Sequence, residues 1–323
     1  MKVRQFADGC EVAQALLVRD VELRTRREGG EYLKLSVGDR TGSVPAMVWE
    51  EVPAARELCR LGEVVHVSGR YSVHPRFGPQ LAVQAVRAAT QDEYRSEELV
   101  DGPARAAEQM ELDLRQLLAT IQNPHLRRLL TVVFGEGSPT WPSYRDAPAA
   151  KHYHQAYRHG LLEHCLMVAQ AVSSISATFP GIDRDVAVSG ALLHDIGKLE
   201  AYTVNGGAIS MSDHGRLCGE IPLGYYRVRR AIERLDGFPR ELEQALLHII
   251  LSHHGSLEHG SPVVPCTREA TLVHMIDNLG GRLGSFDRLE KQLSAGEQWS
   301  GYDKAIGGGA YFADGVAQER EAA

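Results

Sequence analysis

The sequence predicts a multi-domain α+β protein in which a five-stranded β-barrel precedes an all-α helical bundle. Two observations lead to this prediction. Short runs of alternating apolar and polar residues, separated by turns that contain glycine, fill positions 12–89. After position 140, apolar residues recur at helical spacing instead. A chain of 323 residues suits about two domains. We expect them at 1–90 and 140–315, joined by a helical connector at 91–139 and followed by a tail at 316–323.

Composition restricts the kind of protein that this chain can be. It is 43% hydrophobic and 24% charged, but it has no apolar stretch of the ~18 residues that a membrane span needs and no apolar signal core at its start. The five cysteines include no CxxC pair, which argues against a disulfide scaffold and a zinc ribbon. We therefore expect a cytoplasmic protein without a membrane partner.

The distribution of charge matters more than its total. Taken for the whole chain, the net charge of −7 argues against a nucleic-acid partner, yet residues 1–90 carry a net charge of +2 and the remainder −9. Electrostatic footprints are local, so the N-terminal domain is the part that would meet a polyanion.

The strands of the first domain follow from alternation. In the segment 31–37, Leu33, Leu35 and Val37 take one face while Tyr32 and Lys34 take the other. Turn signals flank this strand at 27–30 and 39–42. The other elements that we expect are strands at 12–24, 44–49, 64–71 and 80–86, a turn at 74–79 and a short helix at 51–61.

Five strands with a helix between the third and the fourth, in about 80 residues, are the arrangement of the OB-fold, a small partly open barrel. OB-folds bind single strands with aromatic rings that stack on bases and cations that follow the backbone. Trp49 and Tyr71 fit a position in the core or rim of the barrel as well as they fit a contact with the single strand. The candidate contacts are Tyr32, Lys34, Arg70, Tyr71, Arg76 and Phe77.

The second part of the chain carries helix signals. Pro124 fits the first position of a helix that continues to Val133, and Asp183 fits the N-cap of a helix that reaches Leu193. Apolar stripes at 240–252 and 269–279 predict two further helices.

Histidine and aspartate residues with metal-ligand character recur along these helices. An adjacent His-Asp pair suits a metal because the two side chains leave neighbouring positions of one turn. Mixed imidazole and carboxylate ligands suit Mn²⁺, Fe²⁺, Co²⁺, Ni²⁺ or Zn²⁺, and a structural zinc site would need thiolates. The candidate ligands are His164, the pair His194-Asp195, the pair His253-His254, and Asp277.

The order of these ligands over about 115 residues resembles that of the HD phosphohydrolase superfamily, and residues 194–198 (HDIGK) resemble its namesake motif. The segments 148–151 (PAAK), 160–164 (GLLEH), 248–255 (HIILSHHG) and 276–279 (IDNL) narrow the resemblance to the bacterial YhaM-type 3′→5′ exoribonucleases. This family fuses an N-terminal OB-fold to an HD domain, and the likeness covers about residues 10 to 315. It implies Mn²⁺- or Co²⁺-favouring hydrolysis of single-stranded RNA, often with single-stranded DNA as a second substrate, and a homo-oligomeric assembly.

Two positions depart from the pattern of that family. Glu220 stands in the segment 217–221 (LCGEI), where the family has a histidine ligand of a second metal. A carboxylate can bind the same cations through oxygen, so the second site either survives with a changed preference or is weak. His214, six residues upstream of Glu220, is a candidate substitute for the missing histidine ligand. The second departure is Gly280, which stands where the family often has aspartate.

The expected mechanism uses two divalent cations ~3.5–4 Å apart that activate a bridging water and clamp the phosphodiester. Mn²⁺ is the first expectation, with Co²⁺, Fe²⁺, Ni²⁺, Zn²⁺ or Mg²⁺ as alternatives. One ion would be held by His164, His194, Asp195 and Asp277, and Asp195 would bridge to a second ion held by Glu220, His253 and His254.

Lys198 and three upstream residues are candidates for phosphate contacts. Lys198 would reach a non-bridging phosphate oxygen and act in catalysis together with Asp195; alternatively it is a helix C-terminal lysine. Lys151, His154 and His159 lie shortly before His164 and are the other candidates.

Two rival functions stay open at this point. One is an HD phosphohydrolase that acts on nucleotides or cyclic dinucleotides, against which the strand-binding barrel counts. The other is a catalytically weak protein that binds single strands, which the change at Glu220 suggests and the other intact ligands oppose.

Overall fold

The computed structural model describes residues 1–26, 29–74, 78–100, 102–103, 105–151, 155–293 and 296–313. Three predicted contacts, Arg76, Phe77 and His154, lie outside the described residues, as do parts of the predicted turns at 27–30 and 74–79 and the predicted tail at 316–323.

The N-terminal part is a closed barrel with the strand order β1-β2-β3-β5-β4. All neighbouring strands are antiparallel except β3 and β5, which are parallel. The helix α1 (Val52–Leu58) lies between β3 and β4, as the OB-fold prediction requires. The strands are β1 (Glu11–Thr25), β2 (Glu31–Asp39), β3 (Gly42–Val48), β4 (Val64–His74) and β5 (Gly78–Ala88).

The predicted alternation of β2 is confirmed. Leu33, Leu35 and Val37 are buried in the barrel core, whereas Tyr32 and Lys34 are only half-buried. The apolar face of β2 therefore packs in the barrel core, and its polar face stays accessible to solvent.

One glycine permits the close approach of two barrel strands. At Gly69 in β4, an added Cβ would lie 2.2 Å from the carbonyl oxygen of Ala82 in β5. The register between the two strands shifts at Ser68/Gly69. A side chain at this position would push the strands apart, so glycine is required where the barrel bends.

Helices dominate the described chain from Ser96 to Gln292. Two of the predicted helix starts are confirmed: the Asn123 side chain accepts from the backbone N–H groups that begin α4, and the Asp183 carboxylate accepts from the Val186 N–H at 3.1 Å in α7. The helices are α2 (Ser96–Leu99), α3 (Ala107–Ala119), α4 (Pro124–Phe134), α5 (Trp141–Asp146), α6 (Gly160–Ser176), α7 (Arg184–Leu193), α8 (Lys198–Ala201), α9 (Asp213–Cys218), α10 (Glu220–Ile232), α11 (Arg240–Ser252) and α12 (Arg268–Gln292).

The helical core brings together the helix ends that carry the metal-type residues. An added Cβ at Gly190 in α7 would lie 2.4 Å from the Cδ1 of Ile249 in α11, so these two helices pack closely. The helix α7 ends directly before His194, and α11 ends directly before His253. Close packing of α7 on α11 therefore sets these two histidines side by side.

The expectation of a wholly helical second part needs one correction. Two short strands, β6 (Tyr202–Asn205) and β7 (Ala208–Met211), form a two-stranded sheet after α8. The connecting Gly206 and Gly207 have φ values of 55° and 89°, which a two-residue hairpin turn requires. After α12, the residues 296–313 form turns with the isolated β-bridges Trp299–Tyr311 and Asp303–Gly308 and no helix. The helices α3 to α12 confirm the helical character of the HD-type part.

The chain folds into two compact units. One comprises Met1–Asp101, Val204–Ile209 and Asp287–Ala323, and the other comprises Gly102–Thr203 and Ser210–Phe286. Within the described ranges, none of the helices combines the length and the apolar character that crossing a bilayer demands.

Candidate metal centre and nucleic-acid face

The helical unit gathers six of the seven predicted ligands, from α6, α12 and the ends of α7 and α11, into one cluster in which only His254 and Asp277 are partly exposed. The ligand atoms form three overlapping groups, and in each group they lie within 4.8 Å of one another. The groups are His164, His194 and Asp195; His194, His253 and Asp277; and Asp195, His253 and His254.

Asp195 is the centre of this cluster. Its Oδ2 lies 3.3 Å from the Nε2 of His164 and 3.3 Å from the Nε2 of His194, and its Oδ1 lies 3.5 Å from the Nε2 of His253. On the other side, Asp277 places its Oδ1 3.1 Å from the Nε2 of His164. The Asp195 carboxylate thus lies within 3.5 Å of three imidazoles, which is the arrangement needed for a ligand that two metal ions share.

The four imidazoles share one pattern of hydrogen bonding. Each places its Nδ1 against an oxygen acceptor, and an Nδ1–H donated in this way leaves Nε2 as the unprotonated nitrogen that can ligate a metal. The acceptors are the Gln155 Oε1 for His164 at 3.1 Å, the Ala191 carbonyl for His194 at 2.6 Å, the Ile250 carbonyl for His253 at 2.7 Å and the His259 carbonyl for His254 at 2.9 Å.

Two buried atoms in the cluster test whether a cation fits. Among the described residues, neither the Oδ1 of Asp195 nor the Nε2 of His253 has a hydrogen-bond partner. Buried polar atoms are rarely left so, and both are donors of electron pairs. Together with the inward Nε2 atoms, they make a donor set that fits a divalent cation of the Mn²⁺ to Zn²⁺ series.

The protonation state of the cluster follows from its charges. Burial alone would lower the pKa of His164, but its contacts with Asp195 and Asp277 outweigh burial and raise the pKa to about 9. Burial would raise the pKa of each of these carboxyl groups, yet the neighbouring cations hold both well below their usual range. Burial is outweighed at His194 too, where the charge of Asp195 raises the pKa. The carboxylates therefore remain ionised, and a metal has to displace protons from these imidazoles.

Lys198 is tied to the same carboxylate. Its Nζ lies 2.6 Å from the Oδ2 of Asp195, and its side chain is 13% exposed. Burial opposes the charge of this ammonium, but the pair with Asp195 raises the pKa of Lys198 above its ordinary value. Lys198 begins the short helix α8 and is thus positioned beside the cluster in its charged form.

Glu220 stands next to the cluster. Its Oε1 lies 3.7 Å from the Nε2 of His254, although Glu220 belongs to none of the three groups. An added Cβ at Gly197 would lie 1.9 Å from the Glu220 carbonyl oxygen, so the turn after Asp195 packs directly on the start of α10. His214, the candidate substitute, is exposed and outside the groups, with its Nδ1 3.7 Å from a carboxylate oxygen of Glu200.

The barrel presents an aromatic surface at the beginning of β2 and directly after the end of β3. The ring of Tyr32 stacks on that of Trp49, with centroids 4.6 Å apart and planes at 21°. The guanidinium of Arg26 lies 5.1 Å from the centroid of the Trp49 ring. Trp49 is 43% exposed, so it belongs to the surface and not to the core. We call the set Arg26, Tyr32, Lys34 and Trp49 the Tyr32–Trp49 face.

Of the other predicted strand contacts, Arg70 and Tyr71 are described, and neither belongs to this face. Arg70 in β4 pairs with Glu11 at the beginning of β1, whereas Tyr32 in β2 pairs with Arg24 near the end of β1. Tyr71 is half-buried, its ring 5.5 Å from that of Phe6, and burial raises the pKa of its hydroxyl. Arg70 is exposed at a separate part of the barrel.

Two of the predicted phosphate contacts before α6, Lys151 and His159, are described by the structure. His159 is the N-cap residue of α6, and its Nδ1 lies 2.8 Å from the Arg145 carbonyl oxygen, so its imidazole already has a structural partner. Lys151 is half-buried in the preceding segment. The sequence did not single out Gln155 or Arg26; neither belongs to a spacing pattern, and only their contacts identify them.

Comparison with known protein families agrees with this description. The HD domain model matches residues 161–281, and the model of an OB-fold nucleic acid binding domain matches residues 17–88. The fold and the site thus define an HD-domain protein with an N-terminal OB-fold domain.

Curated relatives align with about nine tenths of the chain. The 3′-5′ exoribonuclease YhaM of Geobacillus sp. is 29% identical over 293 residues, which cover 90% of this chain and 88% of that protein. The YhaM protein of Shouchella clausii is 28% identical over 298 residues, which cover 91% of each. The chain is therefore a homologue of the YhaM exoribonucleases along nearly its whole length, and the predicted resemblance is confirmed. Among solved structures, a domain of replication protein A from Methanococcus maripaludis aligns with 27% of this chain and 92% of that chain, at 19% identity and a TM-score of 0.24.

Proposed function

We propose that this protein is a metal-dependent 3′→5′ exonuclease that hydrolyses phosphodiester bonds of single-stranded RNA, with single-stranded DNA as a second substrate. The observation that carries the proposal is the buried cluster in which four imidazoles direct Nε2 towards Asp195, Asp277 or Glu220. The sequence similarity to the YhaM exoribonucleases supports the proposal independently of the site.

The cluster accommodates two divalent cations in this proposal. The first is held by His164, His194, Asp195 and Asp277, and Asp195 is shared with a second ion that His253, His254 and Glu220 complete. Each pair of the three ligand groups shares one residue, His194, Asp195 or His253, which supports an arrangement with shared ligands. Mn²⁺ is the proposed metal, because imidazole and carboxylate together suit it, with Co²⁺, Fe²⁺, Ni²⁺, Zn²⁺ and Mg²⁺ as alternatives.

The residues of the centre divide the work of phosphodiester hydrolysis. Bound divalent cations supply Lewis acidity for water activation and charge for the phosphate. Asp195 stays ionised and orients the imidazoles around it. Lys198 stays protonated 2.6 Å from Asp195, and its ammonium donates to a non-bridging phosphate oxygen as negative charge develops there.

The Tyr32–Trp49 face holds the single strand in this proposal. Its two stacked rings offer a surface for bases, and the cations Arg26 and Lys34 suit the phosphates. Sequence-tolerant stacking suits an enzyme that must accept every nucleotide in turn. Contacts by Arg70, Tyr71, Arg76, Phe77, Lys151, His154 and His159 stay predictions.

The setting of the enzyme is part of the proposal. All five cysteines are free thiols, which supports a reducing, cytoplasmic location. We also propose a homo-oligomer, and we retain the domain limits 1–90, 91–139 and 140–315.

The substrate class is tested with 5′-labelled 20-mers in Mn²⁺. The proposal predicts stepwise shortening of single-stranded RNA, slower shortening of DNA, and no cleavage when the last 3′ linkages are phosphorothioates. Free nucleotides and cyclic dinucleotides serve as comparison substrates. If the protein hydrolyses free nucleotides or cyclic dinucleotides and leaves the oligonucleotides intact, it is a nucleotide phosphohydrolase. If it binds the oligonucleotides but hydrolyses none of the substrates with any of the metals, it is a strand-binding protein.

A further inference from the structure

The four imidazoles of the metal centre differ in how their Nδ1 atoms are held. His194 and His253 directly follow the helices α7 and α11, and each uses the carbonyl three residues earlier, of Ala191 or Ile250. The last four carbonyls of a helix have no intrahelical partner, so these acceptors come with the helix end itself.

His164 stands in a different position. It is the fifth residue of α6, where the preceding carbonyls of Gly160 and Leu161 serve the helical hydrogen bonds. A histidine inside a helix therefore needs an acceptor from elsewhere in the chain. The side chain of Gln155 supplies one, with its Oε1 3.1 Å from the Nδ1 of His164.

The backbone around Gln155 is built to keep that side chain in place. Its carbonyl oxygen accepts from the Ala149 N–H at 3.1 Å. An added Cβ at Gly160 would lie 2.0 Å from the same oxygen, so the start of α6 packs directly on it. Gln155 itself has a φ of 57°, a left-handed conformation that a glutamine adopts only where its surroundings enforce it.

From this arrangement we propose that Gln155 is a positioning residue for the metal centre, which fixes the tautomer and the orientation of His164 by accepting its Nδ1–H. The amide performs this role without adding a negative charge to a cluster that already contains Asp195 and Asp277. The inference rests on the proposed metal-dependent function, and it assigns Gln155 no contact with the substrate.

The test measures Mn²⁺ affinity of the full-length protein by isothermal titration calorimetry at pH 8. Gln155→Met removes the acceptor at similar size, and partners of this kind typically contribute 10- to 100-fold to metal affinity, so we expect a loss of that order. Gln155→Glu keeps an acceptor and should retain the affinity of the unchanged protein within threefold or exceed it. Gln244→Met, on the exposed side of α11, is the matched control and should bind as the unchanged protein does.

Activity and folding provide the second readout. In Gln155→Met, raising Mn²⁺ should restore most of kcat, because the defect lies in holding the metal and not in the chemical step. Unchanged Mn²⁺ affinity in a folded Gln155→Met protein would overturn the inference. If Gln155→Met does not fold, a tenfold or larger loss in Gln155→Glu overturns it, and retained affinity there supports it. Absence of Mn²⁺ binding by the unchanged protein would instead overturn the proposed function.

Discussion

Replacing Asp195 with asparagine changes one atom in the centre of the cluster and leaves its shape intact. The carboxylate is 1% exposed, pairs with Lys198 at 2.6 Å, and lies within 3.5 Å of three imidazoles. Asp195→Asn leaves the Lys198 ammonium buried without its counter-charge. Loss of one partner of a buried ion pair costs about 3–5 kcal/mol. Because the asparagine oxygen still accepts a hydrogen bond, we expect the lower end of this range: the free energy of unfolding of the metal-free variant should fall by about 3 kcal/mol.

The response to metal is the sharper part of this prediction. At a free Mn²⁺ concentration of about a hundred times Kd, metal binding stabilises the folded protein by about 2.7 kcal/mol. For a unit of about 180 residues, 1 kcal/mol corresponds to roughly 2–4 °C, so Mn²⁺ should raise the Tm of the unchanged protein by about 5–11 °C. Asp195→Asn removes the ligand that both proposed ions share, and its Tm should not respond to the same Mn²⁺ concentration.

Thermal unfolding followed by circular dichroism, with Mn²⁺ or with EDTA, measures both effects. The exposed Asp236 provides a matched control, since Asp236→Asn should keep the full Mn²⁺ shift. An equal Mn²⁺ shift in the Asp195→Asn protein would refute the assignment of Asp195 as the shared ligand.

Three further predictions follow from the site. Trp49→Ala should weaken single-strand binding by about 5- to 150-fold, the equivalent of 1–3 kcal/mol of stacking, in fluorescence anisotropy without metal; equal loss in the control Trp299→Ala would contradict the Tyr32–Trp49 face. Glu220→His should shift metal preference from Mn²⁺ towards Zn²⁺ and Ni²⁺ in competition titrations, because imidazole suits these ions better, and an unchanged ratio would exclude Glu220 as a ligand. Mn²⁺ affinity should rise at least tenfold per pH unit between pH 6.5 and 9, because the metal displaces a proton from His164, whose pKa is about 9, and from His194, whose pKa is also raised. Flat titrations over this range would contradict that protonation state. The raised pKa of His164 stabilises the metal-free fold at pH 6.5 and below, and this contribution is lost as the pH rises through 9.

Much of the fold could be predicted because local signals agree with the final packing. The stripe at 240–252 gives the bounds of α11. The caps Asn123 and Asp183 mark the starts of their helices through side-chain hydrogen bonds that need only neighbouring residues. The hairpin β6–β7 was missed, since strands of four residues hardly show periodicity, although Gly206-Gly207 after asparagine is a recognisable turn signal.

The centre of the site was predictable for a different reason. Metal ligands of the types histidine and aspartate keep a characteristic order along the chain, and the structure gathers six of the seven predicted ligands into overlapping groups. Gln155 could not be found in this way, because its role depends on a contact between a loop and the interior of α6. The exposure of Trp49 likewise depends on where β3 ends relative to Tyr32, which alternation alone does not fix.

The central claim is that the cluster around Asp195 hydrolyses single-stranded RNA from its 3′ end with bound metal. The most direct measurement follows a 5′-labelled single-stranded RNA over time with the unchanged protein and with Asp195→Asn, each in Mn²⁺ and in EDTA. We predict successive single-nucleotide shortening by the unchanged protein in Mn²⁺ alone, and intact RNA with Asp195→Asn although it still binds the strand. Shortening by Asp195→Asn at the rate of the unchanged protein, or equal shortening in EDTA, would contradict the claim.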